Sequence, residues 1–388
     1  MKILFLTTDF NTGGAGIAAG RLADALQESG NQVLVESLRF SSKGRFSKKK
    51  RRMLGKLNRI FEYKFLKFLG FSVTNYISSP WLPFNTIQGI NFKSVDVVHI
   101  HWINYGLLDL RRIRKISEKV PTVWTLHSHW PITSPYQYPD SSTNKFNSKL
   151  IKKVRHYLDK KTSQEIEKFN IHWIVPSAHM QIHGLASTVI HNPLPKSIKA
   201  FGREERNYFA YIGAGDVFDP RKGLTNLLIS WITSYRSDRN RKLLVIGPLY
   251  PTGDQALIEL SKRFGVEYVG SVSSFEVMQA YLVRAHALIV PSYQETFGQV
   301  IPEALSTGTP VIVRDSLGSL NEFRAFSKYI YSTNFEDEGF TDALLWAEEI
   351  DVPNNALTQE IQDYFSPDKI AKLTEEIYLE QINKYNSD

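Results

Sequence analysis

The 388-residue chain contains no cysteine. Disulfides and thiolate metal sites are therefore excluded, and the composition fits a reducing cytoplasm. It also lacks any apolar run approaching the ~18–20 residues needed to span a bilayer. The opening, Met1 to Asp9, is basic and then apolar. Its apolar run stops too early for a signal peptide and reads as a first buried strand. A cytoplasmic protein is expected, or one peripheral at the inner face of the cell membrane. Acidic residues are outnumbered, 39 against 47 basic ones, and the net charge of +8 points to an anionic partner: nucleotide, phospholipid or nucleic acid. The length suffices for two domains with sizeable cores.

One stretch, Ala287 to Leu320, organises the rest. Ala287–Val290 is a short β-branched run, read as a buried parallel strand. Pro291 and Ser292 end it. Phe297-Gly298 turns into a helix carrying Val300, Ile301, Ala304 and Leu305, and Gly308 stops that helix before the strand Pro310–Val313. In such a βαβ unit the loop lies at a carboxyl strand end, where open α/β sheets bind ligands. Glu295 sits in the loop and Glu303 in the helix. Two helical turns rise about 10 Å, so these acids cannot share one proton or one metal. Each suits a different part of an extended ligand. The N–H groups of Thr296, Phe297, Gly298 and Gln299 between them are expected to favour an anion. Hydroxyls at both ends with phosphates between describe a nucleotide sugar.

Glu295-x7-Glu303, continued by Ala304 to Val311, resembles the nucleotide-sugar motif of family 4 retaining glycosyltransferases, polysaccharide-biosynthesis subgroup. The resemblance implies that Glu295 contacts the transferred sugar and that Glu303 binds the ribose, with Val300 lining the donor. It implies a GT-B fold: two facing Rossmann-like α/β domains, an interdomain cleft, and a C-terminal helix crossing back to the first domain. Residues 1–195 would bind the acceptor, 196–365 the nucleotide sugar, and 366–388 would form the returning helix. The implied reaction moves a hexose from a nucleoside diphosphate sugar to a hydroxyl of a glycan or lipid-linked acceptor. Retention of configuration is implied, with the sugar nucleotide as co-substrate and neither cofactor nor metal.

A second motif runs from Gly213 to Gly223. Gly213 and Gly215 let backbone approach a ligand, as Gly247 does at the next strand end, and Arg221 and Lys222 place two cations at a helix start, a sensible diphosphate clamp. Relatives often carry Arg after the first glycine; here Ala214 stands there and Arg221 is the substitute. Gly318-Ser319-Leu320-Asn321-Glu322 resembles the family's Gly-Gly-x-x-Glu turn, with Ser319 at the second glycine.

In the first half, Gly14 and Gly16 follow the first strand, and Glu36 lies twenty residues on. This loosely fits the dinucleotide fingerprint, so a nicotinamide- or flavin-dependent oxidoreductase is a second reading. The resemblance instead turns this loop, Gly14 included, toward donor phosphates and acceptor. His99, His101, His127 and His129 form two His-x-His pairs whose same-face spacing permits metal ligation, without a matching carboxylate. His127, at a strand's carboxyl end, is the better candidate and joins Glu295 and Lys222 as a catalytic assignment. His101, Trp102 and Trp130 are placed on the acceptor side. A polar, aromatic loop is expected over Pro135–Asn147.

Residues 43–71 change character. Lys48–Arg52 precede Met53, Leu54, Leu57, Ile60, Phe61, Phe65, Phe68 and Leu69, recurring mostly three or four apart, with Lys56, Arg59, Lys64 and Lys67 between them. A basic amphipathic helix with aromatics suits an anionic membrane surface through 48–69. Packing against its own domain is the rival reading. Nucleic acid is set aside, because its readers spread such residues over a sheet or groove. A third view of the whole chain follows: a non-catalytic, membrane-associated partner subunit.

Overall fold

The structure, a computed structural model, describes every residue except 39–44, 71–76, 139–148, 197, 199–204, 236–239, 251–253, 273, 353 and 388. The loop expected over Pro135–Asn147 therefore lies outside the described residues from 139 onward, as do both ends of the 43–71 segment.

Two compact units emerge. Unit 1 comprises Met1–Pro176, Met180–His191 and Ile370–Asp388; unit 2 comprises Ser177–His179 and Asn192–Lys369. Unit 1 alternates strands and helices: β1 (Lys2–Leu6), α1 (Gly13–Glu28), β2 (Gln32–Glu36), α2 (Arg45–Phe68), β3 (Val97–Ile100), α3 (Leu110–Ser117), β4 (Thr122–Thr125), α4 (Lys149–Ile166), β5 (His172–Val175) and β6 (Ser187–Val189). Its sheet is parallel throughout, in the order β2-β1-β3-β4-β5-β6. Unbroken apolar strands such as Ile3-Leu4-Phe5-Leu6 are what a sheet covered on both faces requires. Each such side chain, fully buried, contributes about 1.5–3 kcal/mol.

Unit 2 repeats the plan with β7 (Tyr208–Ile212), α5 (Leu224–Thr233), β8 (Leu243–Ile246), α6 (Gln255–Lys262), β9 (Val266–Gly270), α7 (Phe275–Leu282), β10 (Ala285–Val290), α8 (Val300–Leu305), β11 (Val311–Arg314), β12 (Ile330–Thr333), α9 (Asp337–Glu349) and α10 (Asn354–Tyr364). Its parallel sheet is ordered β12-β11-β10-β7-β8-β9. The last helix, α11 (Pro367–Ser387), belongs to unit 1 from Ile370 onward, where Ile370, Ala371, Ile377 and Tyr378 share a core with Ile3, Phe5, Val97 and Val123.

Both sheets reverse direction of growth once, between β1 and β3 and between β7 and β10. Ligands of doubly wound sheets bind outside the carboxyl strand ends at that switch point. The loops after β7 and β10 carry Gly213–Lys222 and Ser292–Gln299; those after β1 and β3 carry the Gly13–Gly16 turn and His101-Trp102.

One helix departs from its sequence pattern. α2 buries Arg51, Gly55, Asn58, Glu62 and Leu66 and turns Met53, Leu57, Ile60, Phe61 and Phe68 outward. Arg51, counted above in the basic cluster, is instead a buried partner of Glu36 and the Thr86 carbonyl.

Candidate functional site

The site in unit 2 is built by a close approach of backbone. Gly223 follows the 3-10 turn Pro220–Lys222 in the left-handed region, at φ 70°. A Cβ there would lie 2.3 Å from the Pro291 carbonyl oxygen at the end of β10. Only glycine fits. The approach is sealed by the Tyr293 N–H, which donates to the Arg221 carbonyl at 2.7 Å, and by Arg314 Nε, which donates to the Pro291 carbonyl at 2.9 Å. It brings Lys222 Nζ to 2.6 Å from Glu295 Oε1, and Ser292 Oγ donates to the same oxygen at 2.9 Å. Arg221 is also engaged: its Nη2 stands 2.6 Å from Asp219 Oδ2, while Asp219 Oδ1 caps the turn by accepting from the Arg221 N–H. Two cations and two carboxylates thus balance locally. Glu303, on α8, is 8% exposed.

The Glu295 loop is held from behind by the segment Ser177–His179 of the same unit. Ser177 Oγ donates to the Thr296 carbonyl, and His179 Nε2 donates to the Glu295 carbonyl at 2.9 Å. The Ala178 N–H donates to Glu322 Oε1 at 2.7 Å. Gly318 passes so near that a Cβ would sit 2.6 Å from the His179 ring. This accounts for glycine and glutamate in the 318–322 turn. Ser177, His179 and Ser292 were not singled out from sequence. The first two lie 119 and 116 residues from the backbone they hold, and no local pattern signals that.

In unit 1, His101 Nδ1 is 3.1 Å from His127 Nε2, with the rings stacked at 5.4 Å. His99 lies beside them, bonded through Nδ1 to Tyr378 Oη at 2.6 Å and through Nε2 to Thr125 Oγ1 at 2.8 Å. Burial holds all three imidazoles neutral, lowering His99 to about 3 and His127 to about 4 and pushing His101 down as well. Trp102 meets Tyr105 edge to face.

Several expectations change here. Trp130 is a core residue: it is 2% exposed, packs near Trp124, and spends its indole N–H on the Ser78 carbonyl. His101 is buried too, so it acts only through His127. Thr296–Gly298 form a turn ahead of the helix, and only Gln299, its N-cap, stands at the helix start. Phe297 anchors its ring among Phe323 and Phe365, Gly298 is left-handed at φ 78°, and α8 begins only at Val300. Gly247 answers an internal need: a Cβ would fall 2.2 Å from the Gly213 carbonyl. Gly215 is exposed at φ 79°, and a Cβ on Gly14 would meet nothing within 4 Å. Glu36 is buried against Arg51 and unavailable to a ribose, which removes the dinucleotide fingerprint. Among the described residues no His, Asp and Glu cluster suits a metal ion.

Residues 12–183 match the family described as glycosyltransferase family 4, and residues 195–363 match glycosyl transferases group 1. The chain belongs to the family 4 glycosyltransferases, with the GT-B fold. It is 28% identical over 194 residues to the O-antigen chain mannosyltransferase RfbU of Salmonella typhimurium, covering 47% of this chain and 49% of that protein. It is 27% identical over 237 residues to the MMP alpha-(1->4)-mannosyltransferase of Mycolicibacterium hassiacum, covering 58% and 55%. The chain thus spans about half the length of the curated relatives it matches. Sucrose-phosphate synthase from Thermosynechococcus elongatus superimposes with a TM-score of 0.62 at 16% identity, covering 99% of this chain and 100% of that one. HepE from Anabaena, solved with UDP-glucose, gives 0.60 at 16% identity, covering 97% and 98%. Identities this low speak to the fold alone.

Proposed function

We propose that this family 4 protein transfers a hexose from a nucleoside diphosphate sugar to a hydroxyl of a glycan or lipid-linked acceptor, with retention, in surface polysaccharide biosynthesis. The observation that carries the reading is the Lys222–Glu295 pair at the switch point of the second sheet. Gly223 and Arg314 already join the two loops through the Pro291 carbonyl, and the pair presents a cation and a carboxylate side by side at a carboxyl strand end. As a donor site it makes chemical sense. Lys222 and Arg221 take up the charge that grows on the leaving diphosphate, and Glu295 turns to the sugar hydroxyls once the phosphate competes for Lys222. Glu303 accepts from the ribose. Gly215 leaves backbone open to the phosphates. His127, neutral, hydrogen-bonds a sugar or acceptor hydroxyl. A front-face route, in which the leaving phosphate takes the acceptor proton, needs no protein nucleophile and no metal. The O-antigen and mannosyl relatives support the polysaccharide setting.

A thermal-shift screen of UDP, GDP and ADP sugars tests the donor, followed by NMR of the product's anomeric configuration. A shift with one nucleotide sugar, lost in Lys222→Ala, is expected. Binding of nicotinamide or flavin cofactors without any nucleotide sugar would overturn the reading.

A further inference from the structure

We infer that the outward face of α2 is a docking surface for an anionic lipid bilayer, with the helix axis lying along the membrane. The inference concerns a surface of unit 1 and stands independently of the donor chemistry.

An amphipathic helix on a globular unit ordinarily buries its apolar stripe. α2 buries Leu66 and half-buries Leu54 and Phe65, but its inner stripe is otherwise polar and most of its large apolar side chains face outward. At 100° per residue, Arg51, Gly55, Asn58, Glu62, Leu66 and Leu69 form one stripe, and this is the buried one. Met53, Leu57, Ile60, Phe61 and Phe68 fall on the opposite side, and their exposure runs from 39% at Phe61 to 78% at Phe68.

The rotation is locked by polar bonds that no other orientation would satisfy. Arg51 pairs with Glu36 and donates through Nε to the Thr86 carbonyl at 3.1 Å. Asn58 donates to the Phe84 and Gly106 carbonyls at 3.0 and 2.9 Å and accepts from the Phe84 N–H at 3.0 Å. Glu62 accepts from Ser78 Oγ and the Ser79 N–H, both at 2.6 Å, and from Arg59 Nη1 at 2.7 Å. Gly106 lets the backbones come close, since a Cβ on it would lie 2.7 Å from the Gly55 carbonyl. Rolling the helix to hide its apolar side would strand a guanidinium, an amide and a carboxylate. Losing one partner of such a buried pair is strongly destabilising. The apolar face therefore stays outside by construction.

Charge identifies the partner. Lys49, Lys56, Lys64 and Lys67 are exposed and interleave with the apolar side chains. The only acid between Arg45 and Phe68 is Glu62, and it is inside. A cationic and apolar strip without acids matches a leaflet of anionic headgroups over acyl chains. Among the described residues no helix is long and apolar enough to cross that membrane.

The test is flotation of the full chain with phosphatidylcholine vesicles and with vesicles part phosphatidylglycerol. Binding to the second only, weakened by high salt, is expected. The Ile60→Ser/Phe61→Ser/Phe68→Ser variant should lose at least roughly tenfold in affinity, since each side chain buries apolar area. Lys49→Gln, Lys56→Gln and Lys64→Gln should each weaken binding about fivefold on anionic vesicles. These positions lie outside the buried bonds, and unchanged thermal midpoints verify folding. Equal flotation of wild type and variants overturns the inference. So does vesicle-free self-association abolished by the serine variant, which assigns the face to a second copy. Tighter binding to RNA than to anionic vesicles overturns it as well.

Discussion

Lys222 Nζ lies 2.6 Å from Glu295 Oε1, although 73 residues separate them. Both side chains are partly exposed, so the pair itself is worth only about 0–1 kcal/mol. Its worth is positional, and the two partners have opposite predicted phenotypes. Lys222→Ala should lower kcat by about 10²–10³-fold and weaken nucleoside diphosphate binding. Glu295→Gln should also abolish most transfer, yet tighten the free nucleoside diphosphate by about fivefold, because the cation is no longer shared. Calorimetric titration of both variants decides it. Weakened nucleotide binding in Glu295→Gln would show that the acid does not compete with phosphate for Lys222.

Gly223 and Gly14 separate glycines that fold the protein from a glycine that leaves room. Gly223→Ala drives a Cβ into the Pro291 carbonyl and forces a left-handed alanine, so a loss of roughly 2–4 kcal/mol is expected. Gly14 has no such neighbour and no left-handed φ. Gly14→Ala should leave the thermal midpoint within about 2 °C and, if this loop meets substrate, raise KM. A folded, fully stable Gly223→Ala would undo the account of how Lys222 reaches Glu295.

The buried imidazoles predict acid sensitivity in unit 1. His99 is lowered to about 3, mainly by burial, while the unfolded chain keeps the ordinary 6.5. Above pH 6.5 neither state holds the proton and the residue contributes nothing. Below it only the unfolded chain is protonated, so stability falls as pH drops from 6.5 toward 3. At pH 5 the penalty from this one residue is about 2 kcal/mol. His101 and His127 are lowered for the same reason and add in the same direction. The unfolding midpoint should fall between pH 7 and 5 with net proton uptake, and His99→Gln should remove about one of those protons. A midpoint flat across that range would contradict it.

Much of the architecture was legible because buried parallel strands announce themselves as apolar runs, as Ile3–Leu6 and Leu288–Val290 do. The Glu295–Val311 spacing likewise carried the acids, and the glycine before α5 carried the cations. What escaped depends on partners far along the chain. β12 is a short, half-exposed edge strand with little pattern. The period of α2 left a membrane-facing and a self-packing reading open, and only Glu36, Thr86 and Ser78 reveal that its polar side is largely the inner one. Trp130 looked like a ligand-facing aromatic until Ser78 took its indole N–H. His179 holds the Glu295 loop through a backbone oxygen, which no spacing can encode.

The His101–His127 contact leads to a prediction about a single proton. One N–H must lie between His101 Nδ1 and His127 Nε2. His101 Nε2 is buried, with no protein partner among the described residues. If His127 donated, His101 would carry a buried N–H with no acceptor, which is rarer and costlier than an unused lone pair. His101 is therefore the Nδ1–H tautomer and donates, and His127 accepts at Nε2 and keeps its own proton on Nδ1. His127 then offers a hydrogen-bond donor, not a base, at the carboxyl end of β4. Long-range ¹H–¹⁵N spectra should show Nδ1-protonated rings for both residues down to pH 5, with His127 titrating only near 4. His101→Phe removes the donor and frees His127 to change tautomer. Transfer should then fall about tenfold in kcat, consistent with the loss of an oriented hydrogen bond worth about 1.4 kcal/mol, with no shift of the pH profile. An Nε2-protonated His127 in the wild-type protein would reverse the assignment and make that ring an acceptor at the site.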